Sequence, residues 1–247
     1  MSAERAAPAK PQLASDTAMV LAAGLGKRMR PLTAARPKPM VQVAGKPLID
    51  HALDRLADAG ITRAVVNVHY LADALEAHVA QRQLPAVRIS DERELLLETG
   101  GALIQAQAWL PDPFFCLNSD TIWLDGPRNL FRELSNAWRP EEMDALLLMV
   151  GHRQAHNYAG RGDFTLGPLG HVQRRRLDRV APFIFTGIQL VSHRLLRDPP
   201  AGPFSTNLLW SRAIEEQRLF GLVHTGEWFE VGTPAAIAPT EAWLTRV

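Results

Sequence analysis

From residue 17 to residue 150 the chain alternates two kinds of segment, and that rhythm limits its possible folds more than any other feature. TAMVLAA from Thr17, RAVVNVH from Arg63, VRIS from Val87 and FFCLNSD from Phe114 are short and largely apolar, and read as strands. PLIDHALDRLADAG, LADALEAHVAQRQ and GGALIQAQAWL, which separate them, read as helices. In the first, Leu48, Ile49, Ala52, Leu53, Leu56 and Ala57 recur on one helical face, Pro47 stands where a first turn tolerates proline, and Gly60 where a helix stops. NLFRELSNAW and DALLLMV repeat the pattern. Such alternation predicts an α/β fold, a Rossmann-like, mostly parallel sheet flanked by helices. Ligands then bind outside the carboxyl ends of the strands.

After Gly151 the rhythm changes. HRQAHNYAGRGDFTLGPLGHVQRRR suggests short strands and turns, PFIFTGIQLV a strand, NLLWSRAIEEQ a helix, and LFGLVHT and WFEVG two more short strands. A last helix begins at Pro234 and is interrupted or restarted near Pro239. Without a linker or low-complexity break, the simplest organisation is one domain over 17–247, with 151–247 forming a small mixed extension over the site. Residues 1–16 read as a flexible tail without the apolar stretch of a secretory signal.

Composition removes several classes of function. The net charge of +1 argues against a nucleic-acid or membrane surface, and no apolar run approaches the length of a membrane span. The single cysteine, Cys116, forbids an internal disulfide and fits a reducing compartment, so a cytoplasmic location is expected. His51, His69, His78 and His152 have no metal-ligand spacing, and Cys116 alternates with apolar neighbours as a core residue does.

The loop after the first strand carries the chemistry. Gly24 and Gly26 let backbone N–H groups approach a phosphate, and Lys27, Arg28, Arg30 and Lys38 follow to neutralise it. A dinucleotide fingerprint would need glycine where Met29 stands, and a P-loop would need a wider glycine spacing. Instead LAAGLGKRMRPLTAARPKPM resembles the signature of the sugar-1-phosphate nucleotidyltransferases at nearly every fixed position, with Lys27 where Ser or Thr is commoner. The resemblance implies that Leu21, Ala22, Ala23, Gly24, Gly26, Lys27 and Arg28 bind the nucleoside triphosphate, and that Lys38 reaches the α-phosphate and the sugar phosphate.

Further segments resemble the same family. LLETGGA implies nucleotide contacts from Glu98, Thr99, Gly100 and Gly101, the glycines letting the base lie against backbone. CLNSDTIW implies substrate binding by Asn118 and a Mg²⁺ ion on Asp120, which makes Arg28, Lys38 and Asp120 the expected catalytic set. WFEVGTP puts Glu230 where the family has a second metal-binding Asp. HNYAGRGDF and FTGI imply a sugar pocket containing Asn157, Asp163, Thr186 and Gly187. The family's Glu-Lys-Pro motif is missing; QRRRLD stands nearby, so that Arg174, Arg175 or Arg176 could take the lysine's place, or all three could line a solvated strand edge.

VNVHYLADAL, LLETGGAL, LNSDTIW and FTGIQL resemble most the short uridylyltransferases that act on N-acetylmuramate α-1-phosphate in bacterial cell-wall recycling. That implies UTP and the muramate phosphate as substrates and a UDP-sugar and pyrophosphate as products. Related short enzymes use GTP with mannose or heptose phosphates. A non-catalytic, nucleotide-sugar-binding paralogue and a dinucleotide-dependent oxidoreductase stand as readings of other classes, the latter against the failed glycine fingerprint.

Overall fold

The computed structural model describes residues 13–246. In chain order it contains β1 (Thr17–Leu21), β2 (Gln42–Val43), β3 (Lys46–Pro47), α1 (Leu48–Ala59), β4 (Arg63–Val68), α2 (Ala72–Val79), β5 (Ala86–Asp91), α3 (Glu98–Ala106) and β6 (Phe114–Asn118). Next come β7 (Thr121–Leu124), α4 (Leu130–Ala137), β8 (Ala145–Gly151), β9 (Ala155–His156), β10 (Phe164–Leu166), β11 (Val172–Arg174) and β12 (Phe183–Val191). The chain ends with α5 (Thr206–Glu215), β13 (Leu219–Val223), β14 (Glu227–Glu230) and α6 (Ile237–Leu244).

Strands β5, β4, β1 and β6 lie side by side and parallel, as the alternation predicts. Their pleat sends successive residues to opposite faces. Ala18, Val20, Phe115 and Leu117 meet α1, α2 and α4 on one side, while Met19, Val65, Phe114 and Cys116 meet α3 and α5 on the other. Cys116 is thus a core residue, and burial pushes its thiol up to about 12. Gly60 closes α1 with φ +94°, a left-handed cap that other residues adopt only under strain.

The second half is more than an extension. β12 inserts antiparallel between β6 and β8, placing residues 183–191 inside the nine-stranded sheet, and β13 continues the sheet parallel to β8. Its near-continuous apolar run, buried over most of its length, suits a central position better than a lid. What lies outside the sheet is smaller: β7, β14 and β9 form a three-stranded sheet at its carboxyl edge. The last helix begins at Pro234 as a 3-10 turn and restarts as α6 at Ile237, with Pro239 in the first turn, where a missing N–H costs no intrahelical bond. Of the expected tail, residues 1–12 lie outside the described residues. Residues 13–16 are docked: the Ala14 N–H donates to Ser135 Oγ at 3.0 Å, and Asp16 pairs with Arg63 at 2.7 Å.

The register of β12 against β8 shifts between Phe185 and Gln189, and Thr186 holds that bulge. Its hydroxyl donates to the Leu148 carbonyl at 2.9 Å and accepts from the Ile188 N–H at 3.3 Å, while its carbonyl accepts from the Trp228 indole at 2.9 Å. Thr186→Val keeps the shape and removes both hydroxyl bonds, so urea unfolding should show a loss of about 1–3 kcal/mol.

Candidate active site

β1 ends at Leu21 and the chain turns across the carboxyl edge of the sheet. The Ala22 N–H donates to Asn67 Oδ1 at 2.7 Å, fixing where the loop leaves the strand. Open space surrounds the position a Gly24 Cβ would take, whereas Gly26 has φ +60° and a Cβ there would lie 3.0 Å from Lys38 Cβ and from Thr33 Cγ2. Only glycine fits that second position without strain. The Gly26 carbonyl accepts from the Thr33 hydroxyl at 2.9 Å and from the Met29 N–H, also at 2.9 Å. Buried Met29 anchors the turn in a third apolar cluster with Val41, Val43, Leu48, Ile122 and Phe229.

Lys38 sits between Pro37 and Pro39 at the start of a single 3-10 turn, so its backbone is held on both sides. Its side chain is largely covered, and its ammonium pairs with the Asp120 carboxylate just past β6. β14 runs antiparallel to β7 and sets Glu230 opposite Thr121, one residue from Asp120. Glu230 pairs with Arg28 at 3.4 Å, and Gly232 leaves room beside both groups. Two expected phosphate-binding cations are therefore each held by an expected metal-binding carboxylate.

A cavity of about 570 Å³ opens there, at the carboxyl ends of β1, β4 and β6. Leu21, Ala22, Ala23, Gly24, Gly26, Lys27, Arg28, Lys38, Glu98, Thr99, Asn118 and Asp120 all line it, as does Gly232. A second cavity of about 460 Å³ shares Leu21, Thr99, Asn118 and Ser205 with the first and contains Asp163 and Gly187. Gly187 has φ +84°, and a Cβ there would come within 2.7 Å of the Asn118 amide. Asp163 accepts the Phe185 N–H at 3.0 Å.

Five of the expected site residues lie elsewhere; of the four cations after the glycine loop, Arg30 lines neither cavity. Gly100 and Gly101 line neither cavity: both N–H groups donate to the Phe204 carbonyl, at 2.8 and 3.2 Å, and a Gly100 Cβ would overlap the Phe204 ring. Their small size serves the packing of α3 against the loop before α5. Asn157 turns away and donates to Thr240 Oγ1 at 3.0 Å, pinning α6. Thr186 is buried in the bulge described above. Of the three arginines, Arg174 and Arg175 line the second cavity and Arg176 does not.

Asn67 and Glu92 escaped the sequence reading. Asn67 lines the first cavity, and its amide donates to Glu92 Oε1 at 2.8 Å, while Glu92 Oε2 accepts the Leu97 N–H at 3.0 Å. A chain of polar contacts thus joins the glycine loop to the wall that carries Glu98 and Thr99. The available signal was a polar residue inside one strand-like run, Asn67, and an acidic one, Glu92, two positions beyond the end of another.

Asp120 and Glu230 are hard oxygen donors in neighbouring positions, both partly exposed beside the cavity. Among the described residues no group of three His, Cys, Asp or Glu side chains gathers as a complete cage. Two carboxylates with the remaining positions open suit a hard divalent cation shared with phosphate and water.

Residues 17–160 match the family model described as "Nucleotidyl transferase". The chain is 43% identical to the N-acetylmuramate alpha-1-phosphate uridylyltransferase of Caulobacter vibrioides, across 94% of this chain and 98% of that one. It is 34% identical to the enzyme of the same name from Neisseria meningitidis serogroup B, across 91% and 96%. The solved inositol-1-phosphate CTP transferase of T. maritima superposes with a TM-score of 0.75 over 94% of this chain and 96% of its own; at 17% identity this is a likeness of fold.

Burial holds the Glu92 carboxyl above the ordinary glutamate range, against the opposing pull of the Asn67 and Leu97 N–H donors. The folded chain therefore keeps that proton to a higher pH than the unfolded chain does. Stability should fall as pH rises across the interval between the two values. Urea unfolding at a series of pH values should show that fall in the wild type and its loss in Glu92→Gln.

Proposed function

The chain belongs to the nucleotidyl transferase family, and we propose that it transfers the uridylyl group of UTP to N-acetylmuramate α-1-phosphate, giving UDP-N-acetylmuramate and pyrophosphate. As a sugar-1-phosphate nucleotidyltransferase it catalyses one substitution at phosphorus. An oxygen of the sugar phosphate bonds to the α-phosphorus, and the bond from that phosphorus to the pyrophosphate oxygen breaks. A phosphate monoester carries nearly two negative charges at neutral pH, so its oxygen attacks without a protein base. The difficulty is to bring two anions together in line, which makes positioning and charge neutralisation the work of the protein.

The observation that carries this reading is the meeting of Gly24, Gly26, Arg28, Lys38 and Asp120 around one cavity. Backbone N–H groups around Gly24 and Gly26 receive the triphosphate. Arg28 offsets charge on the departing pyrophosphate, and Lys38, held by its flanking prolines, steadies the transferring phosphoryl group. Asp120 and Glu230 hold a divalent cation, Mg²⁺ in this reading, which when bound offsets charge on the phosphates. Before substrate arrives, each carboxylate keeps its cation partner in place. Leu21, Asn118 and Gly187 line the passage into the second cavity, where the sugar lies, with Asp163 on its wall.

The names of the 43% and 34% identical relatives support UTP and the muramate phosphate; a place in cell-wall recycling rests on the resemblance of the sequence segments alone. The lone buried thiol fits a reducing cytoplasm, and among the described residues no helix is long and apolar enough to cross a membrane.

Pyrophosphate release should be measured with Mg²⁺, pairing each of UTP, GTP, CTP, dTTP and ATP with N-acetylmuramate 1-phosphate and with glucose, mannose and heptose 1-phosphates. Release confined to UTP and the muramate is expected, and chelation should abolish it. Release with another pair would correct the substrates, and nucleotide binding without any release would favour a regulatory paralogue. Lys38→Ala and Asp120→Asn should each lower kcat by about 10²–10³-fold, the scale on which one preorganised charge-stabilising group acts.

A further inference from the structure

The second cavity has one corner whose polarity the transfer reaction does not use. Arg174, at the end of β11, donates from Nη1 to Asn207 Oδ1 at 3.1 Å, and from Nη2 to the Asn207 carbonyl at 2.9 Å and Ser211 Oγ at 3.2 Å. Its guanidinium also lies 5.9 Å from the centre of the Phe164 ring. All these partners are neutral, so the guanidinium is held in place without its charge being cancelled. Among the described residues, Nε–H and one Nη1 hydrogen have no acceptor.

Two further observations fall in the same corner. Thr206 lines the cavity and is only 3% exposed, yet its hydroxyl has no hydrogen-bond partner among the described residues. Thr206 is also the first residue of α5, a helix of 10 residues whose amino end adds partial positive charge at this wall. The neighbouring Arg175 is otherwise engaged, with Nε on the Gly162 carbonyl and Nη1 on the carbonyls of Arg176, Leu177 and Arg179. Asp163, the one carboxylate lining the cavity, accepts the Phe185 N–H.

We propose that the corner formed by Arg174, Thr206 and Asn207 receives a carboxylate carried by the sugar, and that Arg174 thereby selects an acidic sugar 1-phosphate over its neutral counterpart. This rests on the transfer reaction proposed above. The two cavities meet at Leu21, Thr99, Asn118 and Ser205, so a sugar whose phosphate points to Asp120 extends toward Arg174. A carboxylate there meets a preoriented guanidinium with donors to spare, the arrangement that makes arginine selective for planar anions. A neutral hexose has no group to match it.

N-acetylmuramate 1-phosphate and N-acetylglucosamine 1-phosphate differ only in the lactyl ether that bears the carboxylate, and are the probes. Wild type should favour the muramate in kcat/KM. Arg174→Ala should shrink that preference about 10–100-fold, through KM for the muramate, as loss of a charge-assisted contact implies. Arg174→Lys should restore part of it. An equal loss on both sugars would overturn the proposal and leave Arg174 as a strap between β11 and α5, and so would an unchanged preference. Calorimetric binding of both sugar phosphates keeps the two readings apart. Wild type that binds the muramate more tightly, with the difference lost in Arg174→Ala and no pyrophosphate released, would overturn the transfer reaction and sustain the carboxylate corner. Equal binding of the two sugars by wild type would overturn the corner.

Discussion

The ion pair between Lys38 and Asp120 is the contact on which the site's assembly depends. Lys38 arrives on a proline-flanked turn after the glycine loop; Asp120 follows the carboxyl end of β6. Their pairing ties the loop to the sheet. It also solves an electrostatic problem, because a cavity rich in cations must be stable before the phosphates that justify those cations arrive. Arg28 and Glu230 repeat the arrangement nearer solvent, where the pair is worth less and is more readily exchanged. Such reciprocal pairs keep the charges preoriented, so less reorganisation is left for the moment of reaction.

The opposite wall is fixed by a different means. Asn67 and Glu92 carry a line of hydrogen bonds from Ala22 to Leu97, across β4 and β5. A buried carboxylate is costly unless its oxygens are satisfied, and both Glu92 oxygens accept here. The width of the first cavity is thereby set by polar contacts made beneath it. The second cavity depends on β12, whose bulge brings Gly187 under Asn118 and whose insertion brings the residues of the second cavity next to those of the first. Two cavities with a common wall follow from one strand entering the sheet against the direction of its parallel neighbours.

Residue patterns were sufficient wherever the cause was local. The apolar alternation of 17–150, the Gly60 stop and the glycine loop each depend on neighbours within a few residues, so they could be read directly. The Gly-x-Gly stretch, Lys38, Asn118 and Asp120 were legible because their spacing along the chain already encodes strand end and loop. Thr99 and Glu98 were found by the same route. Gly100 and Gly101 misled because a glycine pair looks the same whether it admits a ligand or a phenylalanine ring, and Phe204 lies far away in sequence. Asn157 and Thr186 misled for a similar reason, since a polar side chain in a turn or strand does not declare its direction.

By itself, then, the sequence determined the α/β class, the parallel half of the sheet and the glycine loop that lines the first cavity, because helix and strand periodicity and backbone freedom at glycine are short-range properties. Tertiary structure alone decided that β12 lies in the middle of the sheet, that Glu92 and Asn67 brace the site, and that Arg174 faces the second cavity from across α5. Those outcomes turn on which distant groups satisfy one another's hydrogen bonds and fill one another's space once the chain has closed. Periodicity carries no record of such partners, so they appear only when the strands are placed side by side.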